Sequence, residues 1–292
     1  DQLFKGLGKN GKKFAFLRQP DGIFKGLQSF EITEDGDIYL AAEAFFAYGN
    51  SRLRIGYKIY KKGSLVDIDV NFFPGEINKV VKLHLPLKNE EFIGEQMFGR
   101  EDLYTDGREC FAQNYIASKI GNRYLEVITP NINGCSYKDG VIKITLHRSV
   151  TYCAHPVGNR PLVRKNMFIP KIDMNECDYH FRLCVSNKEE LQRHAYEFIE
   201  KPYALNVFPT IDEKTNNGFN IVTDNPNIRV VTIKKAQEFT GFLARLQNNN
   251  DEETETTISF GDSSLKLKFN KFEVKTITYA NGILIEKTKI LI

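Results

Sequence analysis

Apolar and polar residues alternate with a period of two along much of this chain, and that pattern restricts it to antiparallel sheet. Between 52 and 60, Leu53, Ile55, Tyr57 and Ile59 fall on one side, and Arg52, Arg54 and Lys58 on the other. Successive side chains of a strand point to opposite faces, so such a segment puts one face in a core and the other in water. Strands of a parallel sheet, covered on both faces, would read as continuous apolar runs instead. SLVDIDVNFF (64–73), VIKITLH (141–147), DYHFRLCV (178–185), IRVVTIKK (228–235), SLKLKF (264–269), FEVKTITY (272–279) and ILIEKTKILI (283–292) repeat the alternation. Turn pairs such as Asp35-Gly36, Asp139-Gly140, Gly261-Asp262 and Asn281-Gly282 separate these segments.

One segment breaks the period. Ser186-Asn187 can cap a helix, Glu189 and Glu190 sit where its dipole favours acids, and Leu191, Ala195 and Phe198 form a helical stripe that Pro202 ends. This gives one short helix near 187–199. The stretch 206–227 carries two prolines and a polar cluster and reads as a domain boundary. The expected fold is therefore all-β: a large two-sheet assembly over 1–210 and a small β-sandwich over 218–292.

A chain of 292 residues can bury a core in each of two such domains. A net charge of +3 on a mixed background argues against nucleic acid or an anionic membrane as a partner. No apolar run approaches the ~20 residues a membrane helix needs. The five cysteines contain no CxxC pair, which suits a reducing, cytoplasmic setting. The chain starts at Asp1, as a processed product or a fragment would.

Chemistry-bearing patterns are sparse. His84, His147, His155, His180 and His194 are scattered, without HxD or HExxH spacing, so no metal-binding residues are expected. Cys153 and His155 lie close together, but directly before Pro156, and read as a buried thiol beside a solvent-facing imidazole. Asp67 and Asp69 share a strand face, roughly 6.5 Å apart at their Cα atoms. Paired carboxylates do the work of glycosidases. Their face is the hydrophilic one, however, and solvated acids are the plainer reading. The basic clusters Lys5–Lys13 and Lys61-Lys62 read as loop charges, and Phe45-Phe46 and Phe72-Phe73 as packing residues. No catalytic residue is expected within the chain.

Several segments, in order, resemble the C-terminal region of family-38 glycoside hydrolases, the α-mannosidases. They are ITEDGDIYLAAEAFF (32–46), YKIYKKGSLVDIDVNF (57–72), KVVKLHLPL (79–87) and the MFGRE turn (97–101). YLEVITPNINGCSYKDGVIKITLHRS (124–149) is similar to a family signature in which a "-Y-G-Y-" element precedes "-L-T-L-L-R-S-". DYHFRLCV with its trailing helix, IRVVTIKKAQEFTGFLARLQN (228–248) and FEVKTITY complete the set.

The resemblance implies a large antiparallel β-supersandwich followed by a small C-terminal sandwich. It also implies a retaining, zinc-dependent α-mannosidase whose N-terminal catalytic barrel, with its zinc, is absent from this chain. The expected partners are that domain and a mannose-containing oligosaccharide, and homo-oligomerisation stays open. The substrate-binding candidates are Arg148, in the place of the "-L-L-R-S-" arginine, and Tyr137. At Gly134-Cys135-Ser136-Tyr137 the chain departs from "-Y-G-Y-". Two other readings remain: a carbohydrate-binding or structural β-sandwich module, and an aldose-epimerase-like supersandwich enzyme needing His180 or His84 beside a Glu.

Overall fold

The structure, a computed structural model, describes residues 3–7, 13–17, 23–24, 26–87, 91–130, 134–150, 168, 170–204, 220–237 and 239–287, the first two segments as backbone only. They divide into two compact units, residues 1–95 with 101–188, and 96–100 with 189–292. Both are built of antiparallel strands, with one helix among the described residues.

In the first unit, β1 (Leu3–Leu7) and β2 (Lys13–Leu17) form a hairpin. A nine-stranded sheet begins with β3 (Gly26–Asp35), β4 (Tyr39–Tyr48), β5 (Ser51–Tyr60) and β6 (Leu65–Phe73) side by side. It continues through β15 (Cys177–Ser186), β12 (Arg123–Ile128) and β11 (Tyr115–Ile120) to β8 (Phe92–Gln96) and β9 (Gly99–Asp102). A four-stranded sheet runs in the order β10 (Cys110–Phe111), β13 (Gly134–Lys138), β14 (Val141–Arg148), β7 (Val80–Pro86).

The core lies between these sheets. Leu53, Ile68, Val70, Phe72, Tyr179 and Phe181 come from one, and Cys135, Tyr137, Ile142 and Ile144 from the other. Apart from Cys135 and Tyr137 of β13, these are the residues that alternation assigns to the apolar face of β5, β6, β15 and β14. The hairpin between β13 and β14 turns at Asp139-Gly140, both at positive φ (51° and 78°), as a two-residue turn matched to strand twist requires.

The second unit has a three-stranded sheet, β16 (Val222–Thr223), β19 (Thr254–Phe260), β20 (Ser263–Phe269). Its four-stranded sheet is β17 (Ile228–Lys235), β18 (Gly241–Asn248), β21 (Val274–Ala280), β22 (Ile283–Lys287). Ile228, Phe242, Leu246, Ile258, Phe269 and Ile277 are its core.

The division differs from the expected boundary between 210 and 218: it falls after Lys188. Residues 205–219 lie outside the described ones, and Ile221 already belongs to the second core. Helix α1 (Leu191–Ile199) clusters with the second unit. There Arg229 of β17 stacks 3.5 Å over the Tyr196 ring and pairs with Glu200, fastening the end of the helix. The expected cap is also corrected. Ser186 ends β15, and Glu190 stands at the N-cap without a side-chain capping bond. Residues 96–100, Gln96 and the MFGRE turn without its glutamate, cluster with the second unit as well. Arg100 pairs with Asp251 at 2.9 Å and lies over the Phe272 ring, and Gln247 Nε2 donates to the Phe98 carbonyl at 2.6 Å.

Candidate functional site

Two regions of the first unit gather polar chemistry. The first is the face of the nine-stranded sheet turned away from the core. Register sets Asp67 opposite Arg182, Asp69 opposite His180 and Asn71 opposite Asp178. Arg182 donates to both Asp67 oxygens, at 2.6 and 2.8 Å, and the Tyr60 hydroxyl reaches Asp67 at 3.1 Å. Burial, and then the Asp67 charge, push the Tyr60 phenol up from its ordinary pKa. His180 Nδ1 lies 2.5 Å from Asp69, and both side chains are more than half exposed. Each aspartate that shares this face is thus engaged by its own cross-strand partner. His180 meets an aspartate, not the glutamate an epimerase-like pairing asks for.

The second region is a cleft of about 850 Å³ that takes in both faces of β7, the last strand of the four-stranded sheet. Leu53, Ile55, Phe72 and Leu83 give it an apolar wall. Lys82, His84, Glu109 and Lys143 line its charged side. Lys82 Nζ donates to both Glu109 oxygens at 2.8 and 2.7 Å and to Thr145 Oγ1 at 2.9 Å. Register places Lys143 directly opposite His84. Partial burial, then Lys143 and Lys82, hold the His84 imidazole below its ordinary pKa. The volume falls in the range of small-ligand sites.

His147 also lines the cleft, against expectation. Uninterrupted alternation after Ile142 and Ile144 would put Leu146 and Arg148 on the core side. A register shift between Thr145 and His147 inserts Leu146 as an extra residue and reverses the phase. His147 is therefore 4% exposed, edge-on to Phe72 at 5.2 Å, with no hydrogen bond to either ring nitrogen among the described residues. Burial holds it below its ordinary pKa, as a neutral imidazole. Arg148 follows as a half-buried residue at the end of β14, opposite Val80. Nothing in the sequence marks this bulge.

Tyr137, the other substrate-binding candidate, lies on β13. It is 8% exposed, packs in the core, and its ring lies 5.6 Å from that of Phe92.

Two further features escaped the sequence reading. Glu126 is fully buried and accepts from Ser186 Oγ at 2.8 Å and Cys184 Sγ at 3.2 Å. Burial, followed by that carboxylate, pushes the Cys184 thiol up to about 12. Gly6-Leu7-Gly8-Lys9-Asn10-Gly11 has the GxGxxG spacing of a dinucleotide loop. It connects the β1–β2 hairpin, whereas a dinucleotide loop leads from a strand into a helix. Cys153 and His155 lie outside the described residues.

No family profile and no curated protein matches the sequence. Solved structures do match the fold. One, a protein of glycosyl hydrolase family 38 from Enterococcus faecalis, aligns with a TM-score of 0.73 at 11% identity over 92% of this chain and 40% of its own. Another, an alpha-mannosidase from Enterococcus faecalis V583, aligns with a TM-score of 0.70 at 10% identity over 92% of this chain and 39% of its own. The chain thus spans about two fifths of the length of these structures, and across nearly all of its own length it has the fold of that portion of them.

Proposed function

We propose that the chain is the C-terminal β portion of a family-38 α-mannosidase, retaining and zinc-dependent as a whole, and that it supports a catalytic domain without cleaving glycosidic bonds itself. The fold likeness and the ordered sequence resemblance agree on this family. One observation carries the supporting role. Among the described residues β3 is an edge strand, and its Leu27, Phe30 and Ile32 are 53%, 60% and 57% exposed. A long edge strand with large bare apolar side chains is an interface in waiting, because water solvates it poorly and its open ladder invites pairing. A neighbouring catalytic domain is the partner we assign to it.

In this reading the acids on the polar face of the sheet are structural, tied up by Arg182 and His180. Arg148 at the end of β14 is the residue that reaches substrate, where its fork of donors suits adjacent sugar hydroxyls or the orientation of an acid. Tyr137 takes no part. The zinc belongs to residues outside this chain, and no step here runs through it. The test is to purify the whole polypeptide that carries this chain and assay it on an aryl α-mannoside. Release of mannose is the expected result. A whole polypeptide that binds no zinc and hydrolyses no α-mannoside would refute the assignment.

A further inference from the structure

β10 has only two residues and forms one edge of the four-stranded sheet. Its ladder to β13 has two pairs, Cys110 opposite Cys135 and Phe111 opposite Gly134. Directly opposed residues of antiparallel strands project to the same face. Here it is the core face: Cys110 and Cys135 are 7% and 3% exposed, in one cluster with Phe92, Tyr137 and Ile144. Both are free thiols.

Opposed Cα atoms in such a ladder lie ~4.5 or ~5.5 Å apart, depending on the type of pair. A disulfide accommodates Cα separations of ~4.4 to 6.8 Å. Either pairing can therefore close into a disulfide without a change of register. We propose that Cys110 and Cys135 form a redox modification site, a cross-strand dithiol that a low-molecular-weight disulfide such as oxidised glutathione converts to an intrachain disulfide.

The exchange has two displacements. One cysteine, as thiolate, attacks a sulfur of oxidised glutathione, forming a mixed disulfide and expelling one glutathione thiolate. The other cysteine gives up its proton and attacks the protein sulfur of that mixed disulfide, expelling the second glutathione. The cysteines lose two electrons and two protons, and two glutathione thiols gain them.

In the closed fold both thiols are poor nucleophiles. Burial pushes Cys135 up to about 12, with the Cys110 thiol adding to the effect, and burial also raises Cys110. Reaction therefore proceeds through fraying of β10, and the edge is built to fray. Two ladder pairs join it to β13, and its other residue, Phe111, is 49% exposed. Once formed, the bond fastens this edge next to Glu109, which Lys82 grips in the wall of the cleft.

The test is to incubate the 292-residue chain with oxidised glutathione under native conditions, trap free thiols with iodoacetamide, and map peptides without reduction. The expected outcome is a linked Cys110–Cys135 peptide that retains no glutathione, with the free thiols falling from five to three. In the Cys110→Ala variant, Cys135 should end as a thiol or a glutathione adduct, linked to no other cysteine. The proposal fails if Cys110 and Cys135 both remain alkylatable, if each keeps its own glutathione, or if Cys135 of the unsubstituted chain links to Cys153, Cys177 or Cys184.

Discussion

Arg182 grips Asp67 through two parallel hydrogen bonds, Nε to Oδ1 at 2.6 Å and Nη2 to Oδ2 at 2.8 Å, between strands whose paired residues lie 115 positions apart. The two side chains are only 24% and 17% exposed, so each would be costly to leave alone. Arg182→Ala should lower stability by about 2 kcal/mol, since it strands a mostly buried carboxylate. His180→Ala should change it by less than ~0.5 kcal/mol, because the Asp69–His180 pair is more than half exposed. Urea denaturation of both variants checks the contrast, and equal losses would contradict it.

His147 sets an acid limit on the fold. Its folded pKa lies below the ordinary 6.5, so on acidification the unfolded chain takes up its proton first. The stability it leaves intact is complete above about pH 6.5 and is lost as pH falls from there through the lower folded value. His84 acts with the same sign. Denaturation midpoints between pH 7.5 and 5 should therefore decline, and His147→Leu should flatten that decline. An unchanged slope in the variant would show that the imidazole is not responsible.

Gly241 opens β18 at φ 154°, opposite Ala280. A Cβ built there would stand 1.9 Å from the Tyr279 carbonyl oxygen. The backbone cannot yield without breaking the β18–β21 ladder, so Gly241→Ala should cost roughly 2 kcal/mol or more. Thermal unfolding of the variant reads this directly, and a wild-type midpoint would rule the clash out.

Arg148→Ala, made in the whole enzyme, should lower kcat/KM about tenfold, close to 1.4 kcal/mol of transition-state stabilisation, with little change in thermal midpoint. A fall in stability with unchanged kcat/KM would make the arginine a purely structural residue of β14.

The period-two pattern was enough to assign the inward face of β6 and of the first half of β15, where Ile68, Val70, Phe72, Tyr179 and Phe181 are all buried. It could not name partners. That Asp67 meets Arg182, Asp69 meets His180 and Cys110 meets Cys135 depends on how distant strands pair, which local alternation does not encode. It failed outright at the end of β14, where one extra residue at the bulge exchanged the places of His147 and Arg148. The division into two compact units departs from the expected boundary for a related reason. Loop composition drew attention to 206–227, whereas Arg229, Tyr196 and Glu200 bind α1 to the later strands and move the division ahead of the helix. Tyr137 was singled out by a motif resemblance, and its burial beside Phe92 was not legible in that motif.

The most direct test of the account is an initial-rate assay of the isolated 292-residue chain on an aryl α-mannoside, with zinc supplied. Neither Asp67 nor Asp69 stands free to act as acid or nucleophile, each held by its cross-strand partner. The account predicts no release of mannose above the buffer rate. Turnover by the isolated chain that disappears on Asp67→Asn or Asp69→Asn would contradict it.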